Sequence, residues 1–360
     1  MSTDVAAMTA DYEAWLAAHI PVLPDDLAVK HEQLASSPLR FLRGTYYLFL
    51  ARMAVKVPGL SDRPRVVAAG DLHAENFGVW RDRHGVRRWG VNDLDELAWA
   101  PYPLDLVRLA TSVALVPECA LPTGQLCRSI VDAWTGAPDQ PAVEFGEDRA
   151  RHLRDLLPPA EPPEEYFGDL ARADKADPEQ PPPAVRAAVL ASVSGEWDPT
   201  WHMRRAGTGS RGHPRVVAVS RHHAREAKLL GPGTAVWAHE RLGSAGLPTP
   251  DAALYPQVVE ALHGPGPGQR LHGWQIRRLA PDVVRIRLDG LSTHDCERVV
   301  RSMAEAVAGV HGVDRAGLAA AREDSAALGE HWLRDAVELM VADTQAGYRE
   351  WHRLGFSRHQ

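Results

Sequence analysis

Two short apolar runs, each followed at once by an acidic loop, constrain this sequence more than any other feature. Residues 65–69 (RVVAA) precede residues 70–76 (GDLHAEN), and residues 87–91 (RRWGV) precede residues 92–96 (NDLDE). Apolar runs of about four to eight residues that are bounded by turn residues are typical of buried strands. The sequence therefore predicts two neighbouring strands whose ends carry carboxylate and amide side chains.

These side chains have the spacing that phosphoryl transfer requires. Asp71 would orient or deprotonate a substrate hydroxyl, and Asn76 and Asp93 would bind Mg²⁺ against nucleotide phosphates. Asp95 would bind a second metal ion or orient the ligands of the first. His73 completes the set of catalytic candidates, as a side chain that braces the loop rather than one that carries a proton. Asp and Asn are also common turn residues, so a purely structural loop is the competing interpretation.

Several motifs resemble known families. Residues 37–44 (SPLRFLRG), 70–78 (GDLHAENFG), 92–96 (NDLDE) and 105–109 (DLVRL) resemble the uncharacterised bacterial family called domain of unknown function 2252. That resemblance extends to residues 277–281 (RRLAP). More distantly, the acidic loops and the start of the next helix resemble the catalytic loop, metal loop and following helix of aminoglycoside phosphotransferase-like kinases. The second resemblance implies a protein-kinase-like fold with ATP and Mg²⁺ as cofactors, in which Asp105 braces the catalytic loop. A plain helix cap is the alternative role for Asp105.

A glycine-rich stretch, residues 205–212 (RAGTGSRG), is followed by an apolar run, residues 215–219 (RVVAV). A strand, a glycine-rich turn and a second strand form the arrangement that covers ATP phosphates in protein kinases, where missing Cβ atoms let backbone N–H groups approach the anion. The residues predicted to cover the phosphates are Gly207, Gly209, Ser210 and Gly212.

The next predicted strand, residues 224–230, offers two cations for the phosphates, Lys228 and Arg225, and the choice between them stays open. Lys228 is preferred because a compact ammonium suits a point-charge contact. Glu240, on a predicted helix over 234–242, is the candidate partner of that cation. Residues 252–262 and 271–279 are predicted to be the remaining strands, joined by a turn at 264–268, and the chain near residues 275–281 would bind the adenine.

The catalytic motifs precede the glycine-rich stretch, whereas ordinary kinases have the opposite order. We therefore predict an α+β, bilobal, protein-kinase-like fold that is circularly permuted. Residues 1–200 would form a larger helical catalytic lobe, with a Pro- and acid-rich connection at 136–184. Residues 201–290 would form a small β-rich nucleotide-binding lobe, and residues 291–360 would be helices that pack back on the large lobe.

The helices of the first 60 residues are predicted from apolar spacing and from capping residues. One runs over residues 9–19 with Thr9 as a possible N-cap, and a second over 27–35 with Asp25 or Asp26 as its N-cap. A third is predicted over residues 40–57. Further helices are predicted over 105–116, 124–134, 149–157, 184–193, 292–312 and 325–353.

Composition restricts the cellular setting. The net charge of −7 argues against binding to nucleic acids through bulk electrostatics. The three cysteines, Cys119, Cys127 and Cys296, have neither metal-site nor disulfide spacing, which favours a reducing compartment. The sequence has no signal-peptide pattern and no apolar run of about 20 residues. We therefore expect a cytoplasmic protein that does not insert into membranes.

The predicted activity is ATP- and Mg²⁺-dependent transfer of a phosphoryl group to a hydroxyl of a small-molecule acceptor. A nucleotide-binding pseudokinase that serves as a scaffold is the first alternative. The second is a metal-dependent phosphoesterase, because Asp71 and His73 fit the D-x-H opening of binuclear enzymes. The further Gly-Asn-His motif that such enzymes need is absent from the sequence.

Overall fold

A computed structural model describes residues 4–138, 142–177, 180–243, 246–262, 264 and 268–355. The helices of these residues are α1 (Val5–His19), α2 (Pro24–Leu34), α3 (Pro38–Gly44), α4 (Tyr46–Lys56), α5 (Pro103–Ala114), α6 (Thr123–Gly136), α7 (Arg151–Asp155), α8 (Pro163–Ala171), α9 (Pro183–Ala191), α10 (Thr234–Leu242), α11 (Leu254–Ala261), α12 (Thr293–His311), α13 (Arg315–Leu328) and α14 (Trp332–Arg353). The strands are β1 (Arg65–Ala68), β2 (Phe77–Arg81), β3 (Arg87–Val91), β4 (Ala98–Pro101), β5 (Val143–Glu144), β6 (Thr200–Met203), β7 (Arg215–Val219), β8 (Ala224–Leu229), β9 (Thr249–Pro250), β10 (Gln269–Leu271) and β11 (Trp274–Leu279).

The strands form three antiparallel sheets, so the mixed helix and strand content of the predicted fold is confirmed. Two three-stranded sheets, β1-β4-β9 and β2-β3-β5, carry the two acidic loops at the ends of β1 and β3. The third sheet has five strands in the order β10-β11-β8-β7-β6. Residues 204–214, which include the glycine-rich stretch, connect β6 to β7, so the predicted strand, turn and strand are confirmed.

The largest hydrophobic core joins helices from both ends of the chain, and we call this part the helical body. It contains Leu106 and Leu109 of α5, Trp134 of α6, Val300 of α12 and Trp351 of α14, all of them buried. Every residue of α5 from Pro103 to Val113 is buried, so this helix is enclosed on all sides. Helix α12 packs on α6, and α14 packs on α5. Trp237 of α10 is buried in the same core.

The five-stranded sheet has two smaller cores of its own. On one face, Val185 and Val189 of α9 pack on Ala218 and Ala227. At one end of the other face, Phe167 of α8 packs on neighbouring apolar residues of the sheet. Because side chains alternate along a strand, the even-numbered residues of β8 lie on the face opposite α9. That second face is the one that meets the helical body.

The predicted helix over residues 40–57 is wrong in one respect, because the chain breaks it into α3 and α4. A Cβ at Gly44 would lie 2.2 Å from Cδ2 of Leu34, so a larger residue here would displace this buried side chain of α2. Thr45 then leaves the helical conformation, with φ −130° and ψ 45°. The break turns Arg43, the last residue before Gly44, toward the acidic loops, where its Nη1 donates to Oε2 of Glu75 over 2.6 Å.

The strand predicted over residues 252–262 is also wrong, since this segment contains helix α11. Leu254, Val258 and Leu262 recur every four residues and are all buried, which is a helical and not an alternating pattern. Within the turn predicted at 264–268, residues 265–267 lie outside the described residues.

The first two helices begin earlier than predicted. Asp4, and not Thr9, caps α1 by accepting the N–H of Ala7 over 2.8 Å. Helix α2 starts at Pro24, which suits the first helical position because its missing N–H would have no partner there. The predicted helices near residues 105–116, 124–134, 184–193, 234–242 and 292–312 are confirmed to within about two residues at each end. None of the helices in the described residues combines the length and the apolar character that crossing a membrane requires.

Candidate active site

A cavity of about 970 Å³ lies where the five-stranded sheet meets the helical body. Both acidic loops, the loop that connects β6 to β7, and strands β8 and β11 contribute to its wall. The predicted site residues that line it are Asp71, His73, Asn76, Asp93, Asp95, Gly207, Gly209, Ser210 and Lys228. Gly212, Arg225 and Glu240 do not line the cavity. The structure thus brings together nine predicted residues from three distant parts of the chain.

The position of Asp71 is fixed by the turn that follows β1. Gly70 has a φ of +84°, and a Cβ there would lie 2.4 Å from the backbone oxygen of Glu96, so the turn requires glycine. The carboxylate of Asp105 accepts the N–H groups of Ala69 and Gly70 over 2.7 and 3.0 Å. Asp105 therefore braces the loop, as the kinase resemblance implied, and does not cap α5.

The closest partner of Asp71 is Arg108, which was not predicted. Its Nε donates to Oδ1 of Asp71 over 3.0 Å, and its Nη2 donates to the same oxygen and to the backbone oxygen of Leu42. Arg108 is fully buried and its guanidinium lies over the rings of Tyr46 and Phe49. Burial raises the pKa of Asp71 to about 6, although the Arg108 charge acts in the opposite direction. Asp71 is therefore a carboxylate at neutral pH.

His73 and Asn76 stabilise the turn after Asp71. Oδ1 of Asn76 accepts the N–H of His73 over 2.8 Å, and Nδ1 of His73 accepts the N–H of Glu75 over 3.2 Å. Burial lowers the pKa of His73 well below its usual value, so the imidazole is neutral. These bonds agree with the interpretation of His73 as a bracing side chain. They also leave Asn76 only its second lone pair for a metal ion.

The second acidic loop presents three carboxylates with different surroundings. Asp93 lines the cavity and has no hydrogen bond or ion pair to another residue that the structure describes. Asp95 forms an ion pair with Lys228 and accepts from Nε2 of Gln275 over 2.7 Å. Burial alone would favour the neutral acid, but Lys228 and Arg270 hold the pKa of Asp95 below its usual range. Asp93 is thus the carboxylate that is open to a ligand.

Glu96, the third carboxylate, holds the start of α10 and was not predicted as a site residue. It accepts the backbone N–H of Thr234 over 2.7 Å and the hydroxyl of Thr234 over 2.9 Å. Burial, followed by the charge of Asp71, raises the pKa of Glu96 to about 7. Glu96 therefore ties the acidic loop to the helix that follows β8.

The glycine-rich loop, residues 205–212, lies directly over Asp71. A Cβ at Gly209 would be 3.1 Å from the backbone oxygen of Arg43 and 3.7 Å from Oδ2 of Asp71. Gly207 has a φ of +77°, which favours glycine. The hydroxyl of Ser210 accepts a hydrogen bond from Arg215. Gly207, Gly209 and Ser210 therefore form one side of the cavity above the catalytic aspartate candidate.

Gly212, in contrast, docks the loop on helix α2. Its backbone oxygen accepts the N–H of Leu23 over 3.0 Å, and a Cβ there would lie 3.3 Å from Val22. Asp26, which is buried on the same helix, lies 3.6 Å from Nε of Arg205 and 3.9 Å from Nη1 of Arg211. Gly212 faces the N-terminal helices and does not line the cavity, so its position does not support the predicted phosphate role.

Of the two candidate cations on β8, only Lys228 lies in the cavity. Arg225 lies on the opposite face of the strand, where Nε and Nη2 donate to the hydroxyl and backbone oxygen of Ser192, each over 3.0 Å. The alternation of side chains along a strand accounts for this separation. Arg225 therefore does not lie where the phosphates are expected to bind.

Glu240 does not pair with Lys228. Its Oε2 accepts the indole N–H of Trp15 over 2.8 Å, which ties α10 to α1. The glutamate that lies beside the basic wall of the cavity is Glu226, two residues before Lys228 and fully buried. It forms ion pairs with Arg204, Arg215 and Arg277, and these three charges hold its pKa well below the usual value although burial acts the other way.

The donors present fit a magnesium ion that keeps part of its water shell. Among the described residues, no group of three or more His, Cys, Asp and Glu side chains is arranged to hold a metal ion. Mg²⁺ is often bound by only one or two carboxylates, together with water and substrate phosphates. Asp93 is such a carboxylate, and the neighbouring Oδ1 of Asn92 is buried without a hydrogen-bond partner.

Part of this site falls within a segment that matches a family model. Residues 22–149 match the family model described as "Uncharacterized protein conserved in bacteria (DUF2252)". The matched segment carries Asp71, Asn76, Asp93 and Arg108, and it ends before the glycine-rich loop and Lys228. It therefore supports the resemblance to this family for the acidic loops, whereas the predicted extension to residue 281 is not part of the match. No curated protein and no solved structure matches the chain.

Proposed function

We propose that this protein is an ATP- and Mg²⁺-dependent phosphotransferase that acts on a hydroxyl of a small molecule. The observation that carries the proposal is that two motifs about 140 residues apart in sequence line one cavity: a Cβ added at Gly209 of the glycine-rich loop would lie 3.7 Å from Oδ2 of Asp71. Phosphoryl transfer depends on positioning and on charge neutralisation, and the cavity contains groups for both.

In the proposed reaction, Asp71 orients the acceptor hydroxyl. Oδ1 of Asp71 is held by Arg108, which leaves Oδ2, on the side of Gly209, for the acceptor. The acceptor oxygen forms a bond to the γ-phosphorus, and the bond from that phosphorus to the β,γ-bridging oxygen breaks. ADP leaves with the electron pair, and the hydroxyl proton passes to Asp71 and then to water. A carboxylate with a pKa of about 6 can accept and release a proton near neutral pH.

The phosphates would lie between the glycine-rich loop and Lys228. Backbone N–H groups of residues 207–210 would face the phosphate oxygens, and the ammonium of Lys228 would neutralise part of their charge. Asp93 would be the main ligand of Mg²⁺, with Asn76 and Asp95 beside it. When bound, Mg²⁺ would supply further neutralisation of the developing charge.

The proposal includes a bilobal, kinase-like arrangement in permuted order. Three features support it: the catalytic loops precede the glycine-rich loop in sequence, the five-stranded sheet has its own small cores, and the cavity lies where this sheet meets the helical body. The sheet with α8 and α9 corresponds to the small lobe in this view, and residues 275–279 of β11 would be the side that faces the base.

One observation favours a second candidate, a pseudokinase that binds nucleotide without transferring phosphate. Lys228 is already paired with Asp95, so the predicted phosphate cation and the predicted second metal ligand neutralise each other. A phosphoesterase is less well supported, because the described residues contain no cluster of metal-binding side chains and His73 is committed to bracing its own loop.

Thermal unfolding with Mg²⁺ and ATP, together and separately, tests the proposal. Ligand present at a hundred times its dissociation constant stabilises the folded state by about 2.7 kcal/mol. We expect a stabilisation that requires both ligands in the wild type, disappears in Asp93→Ala and persists in the control Asp148→Ala, whose side chain is almost fully exposed. No stabilisation of the wild type by millimolar MgATP would contradict the proposal. Stabilisation without ADP formation across a panel of hydroxyl compounds would favour the pseudokinase.

A further inference from the structure

Lys30, on helix α2, is a buried cation in the cavity wall that has no partner. Its residue is only 3% exposed, yet it forms no hydrogen bond or ion pair with any residue that the structure describes. An isolated ammonium costs several kcal/mol to remove from water unless an opposite charge or hydrogen-bond acceptors compensate. Burial also lowers the pKa of Lys30, because the charged ammonium is less favourable away from water than the neutral amine. An anion bound in the cavity would supply the missing compensation.

Lys30 differs in this respect from the other cations of the cavity. Those with a partner in the described residues are Arg43 with Glu75; Arg204, Arg215 and Arg277 with Glu226; Lys228 and Arg270 with Asp95; and Arg278 with Asp282. Arg285 has no partner among the described residues either, but its residue is exposed. Lys30 alone in this set is both buried and unpaired.

Lys30 lies toward Asp71 rather than toward Asp93. The carboxylates whose charges act on its ammonium are Glu13 and Asp71, whereas the charge of Asp93 acts on Arg277 and Arg285. His213 is within the field of Lys30. Asp71 is the group that would receive the acceptor hydroxyl, and Asp93 the group that would hold the metal ion. Lys30 therefore belongs to the acceptor side of the cavity.

Apolar residues line the same cavity as Lys30. Leu16 of α1, Ile20 just after this helix, and His213 surround Gly231, where an added Cβ would lie 2.7, 3.5 and 3.8 Å from them respectively. Burial lowers the pKa of His213 to about 3, so this imidazole is neutral and adds no charge. A cavity wall that combines apolar residues with an ammonium free of ion pairs suits a compact molecule that carries one anionic group.

We propose that Lys30 binds an anionic group, of the phosphate class, on the acceptor, so that the substrate is a hydroxyl compound that is itself a phosphate ester or a similar oxyanion. The identification of the bound molecule as the phosphate acceptor rests on the proposed function. The presence of an anion site at Lys30 does not. It assigns a substrate class to the side of the cavity formed by the N-terminal helices.

Inorganic phosphate is a suitable probe, and calorimetric titration at constant ionic strength is the measurement. The protein is first saturated with Mg²⁺ and a non-hydrolysable ATP analogue, so that the nucleotide position is filled. We expect the wild type to bind phosphate, Lys30→Met to bind it at least tenfold more weakly, and the exposed control Lys175→Met to match the wild type. Affinity for the MgATP analogue in Lys30→Met should stay within twofold.

Each other result has a definite meaning. Equal phosphate affinity in Lys30→Met and the wild type, or no phosphate binding by the wild type, overturns the inference. A tenfold loss of analogue affinity in Lys30→Met places the residue on the nucleotide and overturns it as well. The wild type could bind phosphate in a way that depends on Lys30 and yet bind no nucleotide. That result would support the anion site and contradict the proposed phosphotransferase activity. Lys30→Met should unfold at no lower temperature than the wild type, since it removes a buried charge that has no hydrogen bond or ion pair in the described residues; a marked loss of stability would reveal a structural partner and contradict the inference.

Discussion

Arg108, inside helix α5, donates from Nε to Oδ1 of Asp71 over 3.0 Å. The guanidinium is fully buried. The glycine-rich loop lies on the side of the other carboxylate oxygen, Oδ2 of Asp71. One oxygen of Asp71 is therefore fixed by the protein and the other lies toward the cavity. A carboxylate held in this way has a defined direction for a proton or a hydroxyl.

Replacement of Arg108 by Met should raise the pKa of Asp71 above its value of about 6. Burial already favours the neutral acid, and Arg108 supplies the main opposing charge. Carbon-detected NMR titration of the Asp carboxyls measures this, with Asp71→Asn to assign the signal. Arg151→Met, at an exposed position, is the control and should leave the titration unchanged. An unchanged Asp71 titration in Arg108→Met would mean that the ion pair does not set the charge of this group.

Replacement of Glu96 by Gln should change how stability depends on pH. The folded-state pKa of about 7 lies above the usual value of about 4.3, so the folded chain binds more protons than the unfolded chain between these values. The contribution of Glu96 to folding therefore becomes less favourable as pH rises from about 4 to 7, and Gln has no such loss.

The free energy of unfolding of Glu96→Gln, relative to the wild type, should increase by on the order of 2 kcal/mol between pH 5 and pH 8. Urea denaturation at the two pH values measures it. The effect of the substitution is compared at the two pH values because the amide also changes the hydrogen bonds to Thr234. That effect is the same at both pH values and cancels from the comparison. A difference that does not vary with pH would show that Glu96 titrates normally in the folded protein.

Gly70→Ala should destabilise the protein by about 3 kcal/mol or more. A positive φ costs an L-residue about 1–2 kcal/mol, and the added Cβ would also overlap the backbone oxygen of Glu96 at 2.4 Å. Gly85→Ala is a matched control, because Gly85 has a φ of +78° but no atom within 4 Å of the added Cβ. It should cost only about 1–2 kcal/mol. Equal losses in the two variants would contradict the close approach of the two acidic loops.

Lys228→Met and Arg225→Met test which cation of β8 serves the nucleotide. Lys228 lines the cavity, whereas Arg225 bonds Ser192 on the other face of the sheet. We expect Lys228→Met to weaken MgATP binding at least tenfold and Arg225→Met to change it less than twofold, as measured by calorimetric titration. Since Lys228 also pairs with Asp95, the fold of each variant is checked by circular dichroism. A larger loss in Arg225→Met would contradict the position assigned to the nucleotide.

Local sequence pattern was sufficient for the acidic loops. Asp71, Asn76 and Asp93 stand at strand ends, and strand ends are set by neighbouring residues through turn chemistry. The glycine-rich hairpin was predictable for the same reason, since β6 and β7 flank it directly. Asp105 was correctly singled out, although only the hydrogen bonds to Ala69 and Gly70 distinguish a brace from a cap.

Partners from distant parts of the chain could not be read from local pattern. Glu240 accepts a hydrogen bond from Trp15, which is 225 residues away in sequence. Glu226 forms ion pairs with arginines of β7, of β11 and of the chain before the glycine-rich loop. Arg108 did carry a signal: it is a charged residue in a helix whose residues are mostly apolar, and a buried charge usually has a paired partner. The choice between Lys228 and Arg225 depended on which face of β8 meets the helical body.

The hydrogen bond from Leu23 to Gly212 has a consequence for how a molecule enters the cavity. In the proposed kinase-like arrangement, the hairpin formed by β6, the glycine-rich loop and β7 would cover the phosphates. Here the far end of that hairpin is fastened to α2, and Asp26 holds two of its arginines. The glycine-rich loop can move away from the cavity only if α2 moves with it or if the contacts between them break. Amide hydrogen exchange in the first 34 residues should therefore report nucleotide occupancy, although this segment carries none of the acidic loop residues.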